Sequence, residues 1–380
     1  MRIEDLRTVV VHVNQRGDWV FVQVHTDEGI VGLGEASHSG NDALLLAVLG
    51  QYRERLVGRD PLRIEEIWHE LNNKNAGRVE HTALSGLEQA LWDVMGQSLG
   101  VPIRTLFGGP VRERIRLYAN INRHVTDRTA EGFARAAAQA VKEGFTAIKM
   151  APFDELRAPD HVRTGPKAAW QPGVERMRAV REIIGDGVEL LIDCHGRMES
   201  SEAILVAGEL EDVNLFWYEE PIPHIYTDEL ERVTAAVAVP TASAESVYAL
   251  EGFAPFLCRP VVDVIMPDVK HDGGLLETKR IAGAARMRKM LVAPHSPSGP
   301  VSTAATGQVV STLTNFLILE YAWGEANWRA DLLDPPERVE EGYLLLSDEP
   351  GLGHRLNSRV VEEHRVNVAN DRDSSKVVPD

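Results

Sequence analysis

The chain has 380 residues, of which 44% are hydrophobic and 26% are charged, and its formal net charge is −17. This composition is that of an ordinary globular protein, and the length suits a barrel of roughly 250 residues with a smaller second unit. The negative charge argues against nucleic acid and anionic membranes as partners, because binding to either needs clusters of basic residues.

Two further features of the sequence bear on where the protein is located in the cell and on what its cysteines can do. The sequence has no apolar run of about 18 residues and no signal-peptide pattern after Met1, so we expect a cytoplasmic protein that does not enter a membrane. The two cysteines, Cys194 and Cys258, form no CxxC pair, which argues against a disulfide framework and a zinc–thiolate site.

The predicted elements change character twice along the chain. Residues 1–40 alternate apolar and polar side chains as strands do, and from Asn41 the apolar spacing becomes helical, which predicts an α+β unit over residues 1–112. Residues 113–334 alternate short apolar runs with amphipathic helices, which is the pattern of βαβ units. Residues 335–380 return to short strands and turns, and we expect them to pack on the first unit and to end in a frayed tail.

Eight apolar runs in the middle of the chain could be strands of a parallel barrel: IRLYANI, TAIKM, VELLID, NLFWYE, VPTAS, VDVIM, MLVAP and NFLILE. Polar residues follow or end the last six runs at intervals of 23–27 residues, and they are Asp193, Glu219, Glu245, Asp268, His295 and Glu320. About 25 residues make one strand, one helix and two loops. Because the carboxyl ends of barrel strands meet at one rim, the spacing predicts an active site there.

Three of these carboxylates, on Asp193, Glu219 and Glu245, follow consecutive predicted strands and should be neighbours at the rim. A ligand set of oxygens, without histidine or cysteine, favours Mg²⁺, which Mn²⁺ can replace. Strand-end carboxylates also cap the helix that follows, which is the ordinary explanation for any one of them. All three at one period, each after an apolar run, indicate a divalent metal site.

Asp268 and His295 end the next two predicted strands. A carboxylate beside an imidazole fixes the tautomer and raises the basicity of the ring, which makes His295 a candidate general base. The alternative is a structural histidine next to an apolar strand. Glu320, on the last strand, could hold a proton for a developing oxyanion. A carboxylate that closes the bottom of the barrel or pairs with an arginine is a near-equal alternative.

Two more side chains are expected to face the site. His195 comes two residues after Asp193, and residues two apart on a strand share a face. A second histidine opposite His295 suggests a leaving group that needs a proton. Lys149 ends the TAIKM run and could bind a substrate carboxylate, although a lysine there could also extend its ammonium group along apolar surface into solvent.

The motifs around these residues resemble the mandelate racemase subgroup of the enolase superfamily over almost the whole chain. The resemblance rests on LLIDCHGR, WYEEP, ASAES, MPDVKHDGG, APHSPSGP and LILE, and on WVFVQVHTDEGIVGLGEA, ALSGLEQALWD and LFGG in the first unit. It implies an α/β fold, in which a (β/α)7β TIM-like barrel lies under an α+β capping domain formed by the N-terminal and C-terminal segments. It also implies that Mg²⁺ holds a substrate carboxylate while a base removes the proton from the adjacent carbon.

Within the subgroup, the chain is most similar to acid-sugar dehydratases such as galactonate dehydratase. Racemases of the subgroup carry a K-x-K pair, and here Ala151 replaces the second lysine, which disfavours two opposed bases. The Asp-x-His-Gly-Arg string that starts at Asp193 is similar to dehydratases whose histidine, here His195, protonates the departing 3-hydroxyl. Those enzymes usually have Gly-Glu-Arg or Gly-Glu-Asn at the third ligand. This chain has Ala-Glu-Ser around Glu245, so a neighbouring substrate contact is lost and the sugar acid is left open.

The expected activity is the Mg²⁺-dependent dehydration of a sugar acid to a 2-keto-3-deoxy acid. His295, oriented by Asp268, would be the base and His195 the acid, while Lys149 and Glu320 would help to hold the developing charge. A racemase, epimerase or cycloisomerase on the same scaffold is one alternative. A metal-binding barrel without catalysis is another.

Substrate range is expected to depend on two segments of the capping domain, residues 14–19 and 72–81. They contain side chains that could bond distal hydroxyl groups and exclude water on closure, namely Arg16, Trp19, Arg78 and His81. Solvated loop residues are the plain alternative. The expected partner is a small acid-sugar substrate, and the resemblance implies a homo-oligomer, either a dimer or an octamer.

Overall fold

The computed structural model describes residues 1–73, 75–156 and 169–366. The chain begins with an antiparallel sheet of three strands, in the order β1 (Ile3–Asn14), β2 (Gly17–Thr26) and β3 (Val31–Glu35). Four helices follow: α1 (Asp42–Leu56), α2 (Ile64–Leu71), α3 (Arg78–Leu99) and α4 (Ile103–Leu106). These seven elements are called the capping domain below, and they agree with the predicted strands-then-helices order.

Close packing of α3 on the sheet depends on glycine in β3. A Cβ atom on Gly34 would lie 2.0 Å from the carbonyl oxygen of Gly86, and one on Gly32 would lie 2.1 Å from that of Ala90. Real Cβ atoms do not approach oxygen so closely, so a larger residue would push the helix away. The capping domain thereby buries its own apolar cluster between sheet and helices.

The second part of the chain forms eight parallel strands: β4 (Arg114–Asn120), β5 (Ala147–Met150), β6 (Glu189–Asp193), β7 (Trp217–Glu219), β8 (Thr241–Ser243), β9 (Val264–Ile265), β10 (Leu291–Val292) and β11 (Leu319–Tyr321). Each strand from β4 to β9 pairs with the next, and β11 pairs with β4. The backbone of Val292 in β10 bonds Asn315 and Leu317, just before β11. All eight predicted strands are confirmed.

Seven helices alternate with these strands: α5 (Ala130–Lys142), α6 (Gln171–Ile184), α7 (Ser200–Glu209), α8 (Thr227–Ala236), α9 (Ala249–Cys258), α10 (Leu275–Arg286) and α11 (Pro300–Val310). Each helix lies between successive strands, which gives the predicted (β/α)7β order. A cluster of buried side chains that includes Tyr118, Leu191, Trp217 and Ile318 lies inside the barrel. Among the described residues, no helix is both long and apolar enough to cross a membrane.

The C-terminal segment contacts both parts of the molecule. It contains β12 (Leu333–Asp334), β13 (Arg338–Glu340), β14 (Tyr343–Leu345), β15 (Arg355–Leu356) and α12 (Ser358–His364). Strand β14 pairs antiparallel with the start of β4 on the barrel, whereas Val366 N–H donates to the Val10 carbonyl in β1. The domain boundaries at residues 112 and 334 stay a prediction, and the predicted frayed tail from residue 367 lies outside the described residues.

Two buried glutamates of the capping domain cap helices of the barrel. The Glu35 carboxylate accepts hydrogen bonds of 2.8 Å from the backbone N–H groups of Gly299 and Ser302, at the start of α11. Glu88 accepts from Leu275 N and Leu276 N at 2.8 and 3.0 Å, at the start of α10. A carboxylate at a helix N-terminus satisfies free N–H groups and complements the helix dipole. These contacts therefore fix the capping domain over the barrel rim.

Replacing Glu35 with glutamine should lower the free energy of unfolding by about 1–3 kcal/mol, because an amide NH₂ would then face a buried N–H donor. Unfolding by urea measures the loss. The matched control is Glu54→Gln, since Glu54 is exposed on α1. If both variants unfolded at the same urea concentration as the parent protein, the proposed role of the Glu35 cap would be wrong.

Candidate active site

The carboxyl ends of the barrel strands bring together the side chains that the sequence singled out. Each lies at the end of a strand or within three residues after it, in the order Lys149, Asp193, Glu219, Glu245, Asp268, His295 and Glu320. They are buried or nearly so. The rim predicted from the 23–27-residue spacing therefore exists, although the roles assigned to its residues stay predictions.

Asp193, Glu219 and Glu245 form a compact triad of carboxylates. One oxygen from each lies within 4.8 Å of the others. Burial raises the pKa of Glu219 well above its ordinary value, and the negative charge of Asp193 raises it further. The buried Oε2 of Glu245 has no hydrogen-bond partner among the described residues. A cluster of buried oxygens with excess negative charge fits a divalent cation, so these three residues can hold a metal ion.

Lys149 extends into the barrel interior, with only 1% of its side chain exposed. Its Nζ lies 2.7 Å from Glu219 Oε1, 3.1 Å from Glu320 Oε1 and 3.5 Å from Asp193 Oδ2. Burial would lower the pKa of this lysine, but the carboxylates of Glu219 and Glu320 outweigh burial and raise it. Lys149 is therefore a fixed positive charge beside the triad, and it does not extend into solvent.

Asp268 and His295 form the expected dyad. His295 Nδ1 lies 2.7 Å from Asp268 Oδ2, and its Nε2 lies 3.5 Å from Glu245 Oε2. Asp268 also accepts from the backbone N–H and the Nζ of Lys270. Burial raises the pKa of Asp268, yet Lys270, His271 and His295 together bring it well below its usual range. The ionised carboxylate thus holds the ring with Nε2 towards the triad.

Lys270 was not predicted, although it stands two residues after Asp268 in the MPDVKHDGG motif. Its side chain is fully buried, and Nζ lies 2.5 Å from Asp268 Oδ2 and 3.2 Å from His271 Nε2. The sequence feature that could have pointed to Lys270 is its charge within this motif, next to the predicted dyad residue. Its contact with the dyad depends on the turn after β9, whose shape the sequence pattern does not specify.

Glu320 is fully buried in β11, beside Lys149. Its Oε1 accepts from Asn120 Nδ2 at 2.6 Å, and its Oε2 accepts from Ser296 N at 2.8 Å. Burial would raise the pKa of Glu320, but the Lys149 ammonium outweighs it and the pKa is lowered. This favours an ionised carboxylate over the protonated one that the sequence suggested. Its cationic partner is Lys149, and among the described residues no arginine pairs with it. Asn120 is the last residue of β4. It is therefore a polar residue at a strand end, like those that follow the last six predicted strands, and this position was the signal that could have identified it.

His195 reaches the site by a different route from the one expected. Strand β6 ends at Asp193, and His195 has a left-handed backbone with φ of 48°, so the two residues do not share a strand face. The turn still places His195 Nε2 3.2 Å from Asp193 Oδ2. On its other side, His195 Nδ1 lies 2.6 Å from Asp154 Oδ1. Asp154 was not predicted, because it lies in the loop after β5.

Ala244, just before the third carboxylate of the triad, also has a left-handed backbone, with φ of 85°. That conformation favours glycine and costs an alanine some energy. Glu220 holds the segment in place, because its Oε1 accepts from Ala244 N at 2.9 Å and from Ser243 Oγ at 2.7 Å. This fits the resemblance, in which glycine is usual at the position of Ala244.

The four predicted substrate contacts lie in different surroundings. Trp19 is fully buried in β2, with its ring 5.3 Å from that of Trp328, which favours a packing role over direct contact with substrate. Arg16 is in the turn between β1 and β2, and its Nη2 donates to the Asn122 carbonyl beyond β4. Because β1 ends at Asn14 and β2 begins at Gly17, most of the predicted loop over residues 14–19 is strand.

The other two, Arg78 and His81, lie in the first turn of α3. Arg78 Nη2 is 3.0 Å from His271 Nε2, three residues after Asp268, and His81 stacks on Tyr248 with the ring centres 5.1 Å apart. Both therefore lie above the rim, where the capping domain meets the barrel. Within the predicted 72–81 segment, residue 74 lies outside the described residues.

Residues 4–108 match the family model of the mandelate racemase / muconate lactonizing enzyme N-terminal domain, and residues 132–360 match that of the enolase C-terminal domain-like family. The chain belongs to the enolase superfamily. The matched regions correspond to the capping domain and to most of the barrel, which confirms the resemblance read from the motifs.

Superfamily relatives cover nearly the whole chain. It is 35% identical to the D-xylonate dehydratase of Haloferax volcanii, covering 96% of this chain and 89% of the relative. It is 31% identical to the D-galactonate dehydratase of Verminephrobacter eiseniae, covering 91% and 90%. Among solved structures, a mandelate racemase/muconate lactonizing enzyme from Sulfitobacter sp. matches with a TM-score of 0.87 at 28% identity, covering 96% of this chain and 95% of that chain.

Asp193→Asn should weaken Mg²⁺ binding at least about tenfold, or about 1.4 kcal/mol, because one of three anionic groups is lost. Titration calorimetry with Mg²⁺ measures the affinity, and Mn²⁺ provides a second ion. Asp186→Asn is the matched control, since Asp186 is exposed just before the other end of β6. An unchanged affinity in Asp193→Asn would remove Asp193 from the metal site.

Proposed function

We propose that this chain is a Mg²⁺-dependent sugar-acid dehydratase. It would remove the proton next to the substrate carboxylate, expel the β-hydroxyl as water and release a 2-keto-3-deoxy acid. The observation that carries the proposal is a pair of histidines on two sides of one carboxylate triad. His295 Nε2 lies 3.5 Å from Glu245, and His195 Nε2 lies 3.2 Å from Asp193. The names of the D-xylonate and D-galactonate dehydratase relatives support the same reaction class.

The triad of Asp193, Glu219 and Glu245 would hold the metal ion, which we propose to be Mg²⁺ with Mn²⁺ as a substitute. When bound, the ion would hold the substrate carboxylate and stabilise the charge that develops on it. A proton next to a carboxylate is only weakly acidic, so this stabilisation must supply much of the roughly 8–23 kcal/mol by which enzymes lower barriers.

His295 is the proposed base. The Asp268 carboxylate accepts a hydrogen bond from Nδ1–H, which leaves the lone pair on Nε2, on the side of the triad. Nε2 would take the proton from the α-carbon of the substrate. Lys149, fixed by Glu219 and Glu320, would face the negative charge that builds on the carboxylate as this proton leaves.

His195 is the proposed acid. Its Nε2 would give a proton to the hydroxyl on the β-carbon as the carbon–oxygen bond breaks, so that the hydroxyl leaves as water. The enol that remains takes up a proton at the β-carbon and releases the proton of its hydroxyl group at the α-carbon, which gives the 2-keto-3-deoxy acid. His195 then regains its proton from solvent, which can reach a side chain that is 34% exposed.

A racemase with two opposed bases is the alternative on this scaffold. Its second base would be a second lysine, two residues after Lys149, but that position just after β5 is occupied by Ala151, which is buried and carries no titratable group. The second histidine supports elimination over racemisation, because loss of hydroxide from carbon requires an acid.

The decisive experiment is a screen of the purified protein with Mg²⁺ over stereochemically diverse aldonates and aldarates, with D-xylonate and D-galactonate included. Formation of a 2-keto-3-deoxy acid is the expected result. Exchange of the α-proton with solvent deuterium without loss of water, on any of these acids, would instead identify a racemase or epimerase. A complete absence of both reactions would contradict the proposal.

Two variants test the separate roles proposed for His295 and His195. His295→Asn should abolish both α-proton exchange and dehydration, because the base is needed for each. His195→Asn should reduce dehydration by about 10²–10⁴-fold and leave exchange much less affected, since the acid acts after the proton is removed. Equal loss of exchange in the two variants would show that the proposed division is wrong.

A further inference from the structure

The structure contains a second pair of aspartate and histidine at the rim. Asp154 lies in the loop after β5, and its Oδ1 is 2.6 Å from Nδ1 of His195, in the loop after β6. The second carboxylate oxygen makes a separate contact, because Arg128 Nη2 donates to Asp154 Oδ2 at 3.0 Å. One carboxylate oxygen of Asp154 thus contacts the imidazole of His195, while the other accepts a hydrogen bond from the guanidinium group of Arg128.

Arg128 fixes this carboxylate to the barrel. Its Nη1 donates to Asn122 Oδ1 at 2.7 Å and its Nη2 to the Ala151 carbonyl at 2.5 Å. Its guanidinium carbon also lies 5.0 Å from the ring centre of Phe133, over a face that is buried in the core. Asp154 is therefore connected to the segment after β4 as well as to its own loop, which limits how far its carboxylate can move.

The arrangement repeats that of Asp268 and His295. In each pair a carboxylate oxygen lies 2.6–2.7 Å from Nδ1, and in each the Nε2 lies within 3.5 Å of a carboxylate of the metal triad. An imidazole has two nitrogens, and a partner on one of them decides which way the other points. His195 follows the end of its strand and is one-third exposed, so its ring depends on such a partner for a defined orientation.

We propose that Asp154 is a positioning residue for the acid step. It holds Nδ1 of His195, so that Nε2 faces the leaving hydroxyl above the triad. The proton that Nε2 donates leaves with the hydroxyl as water, and solvent returns a proton to Nε2. Asp154 itself exchanges no proton with substrate. This inference rests on the proposed dehydratase function and extends it to a residue that lies far from the metal ligands in sequence.

Asp154→Asn is the first test. Dehydration should fall by about 10–100-fold, as is usual when a hydrogen-bonding partner behind a functional group is removed. Exchange of the α-proton with solvent deuterium and the KM for the best acid should each stay within about threefold of the parent values. The variant would then resemble His195→Asn and differ from His295→Asn. A purely structural role would instead reduce exchange and dehydration together.

Glu155→Gln is the matched control. Glu155 is the next carboxylate along the chain, also approaches Arg128, at 3.5 Å, and is half exposed. It should leave both reactions unchanged. Asp154→Glu keeps the charge with a longer side chain, so it should recover part of the dehydration lost in Asp154→Asn. Recovery would also keep the test valid if Asp154→Asn folded poorly.

A spectroscopic measurement tests the contact without relying on turnover. In protein labelled with ¹⁵N-histidine, the His195 ring signals, assigned by their loss in His195→Asn, should indicate a proton on Nδ1. Asp154→Asn should shift those signals, and Glu155→Gln should not.

Unchanged signals and unchanged dehydration in Asp154→Asn would overturn the proposal, as would equal loss of exchange and dehydration. The spectroscopic result also separates the two proposals. If the parent protein dehydrated no acid, the proposed function would fail, whereas a signal shift in Asp154→Asn would still establish the Asp154–His195 contact.

Discussion

Excess negative charge, buried where the barrel strands end, is the constraint on which the rest of this structure depends. Asp193, Glu219 and Glu320 surround the ammonium group of Lys149, and Glu245 adds a fourth carboxylate next to them. Taking one such group out of water costs several kcal/mol unless a counter-charge is near. Lys149 offsets part of this charge. A divalent ion at the triad would balance much of the remainder.

The surrounding elements keep that charge in a fixed geometry. Two histidines approach the triad from different sides, and each is held from behind by an aspartate. From above, Glu35 and Glu88 of the capping domain cap α11 and α10, the helices that begin soon after the loops of His295 and Asp268. The same contacts that attach the capping domain therefore also fix the loops that carry the dyad. A shift of the capping domain would therefore disturb the Asp268–His295 dyad.

The strand order and most of the rim could be predicted from the sequence, because each strand is a local apolar run and each rim residue lies at the end of a strand or within three residues after it. This local rule gave the triad and the dyad. It could not give Asp154, whose partner His195 is brought near by a left-handed turn that no periodicity encodes. Nor could it show that Trp19 is buried, because a tryptophan close to a turn can pack inward or face the substrate. Long-range contacts, unlike strand ends, depend on the whole fold.

The most direct test of this account is the position of a bound metal ion. Crystals grown with Mn²⁺, measured at a wavelength where manganese scatters anomalously, would locate the ion independently of any activity. The account predicts one strong anomalous peak between the carboxylates of Asp193, Glu219 and Glu245. A peak elsewhere, or no peak at the triad at saturating Mn²⁺, would contradict the claim that this buried negative charge exists to hold a divalent ion.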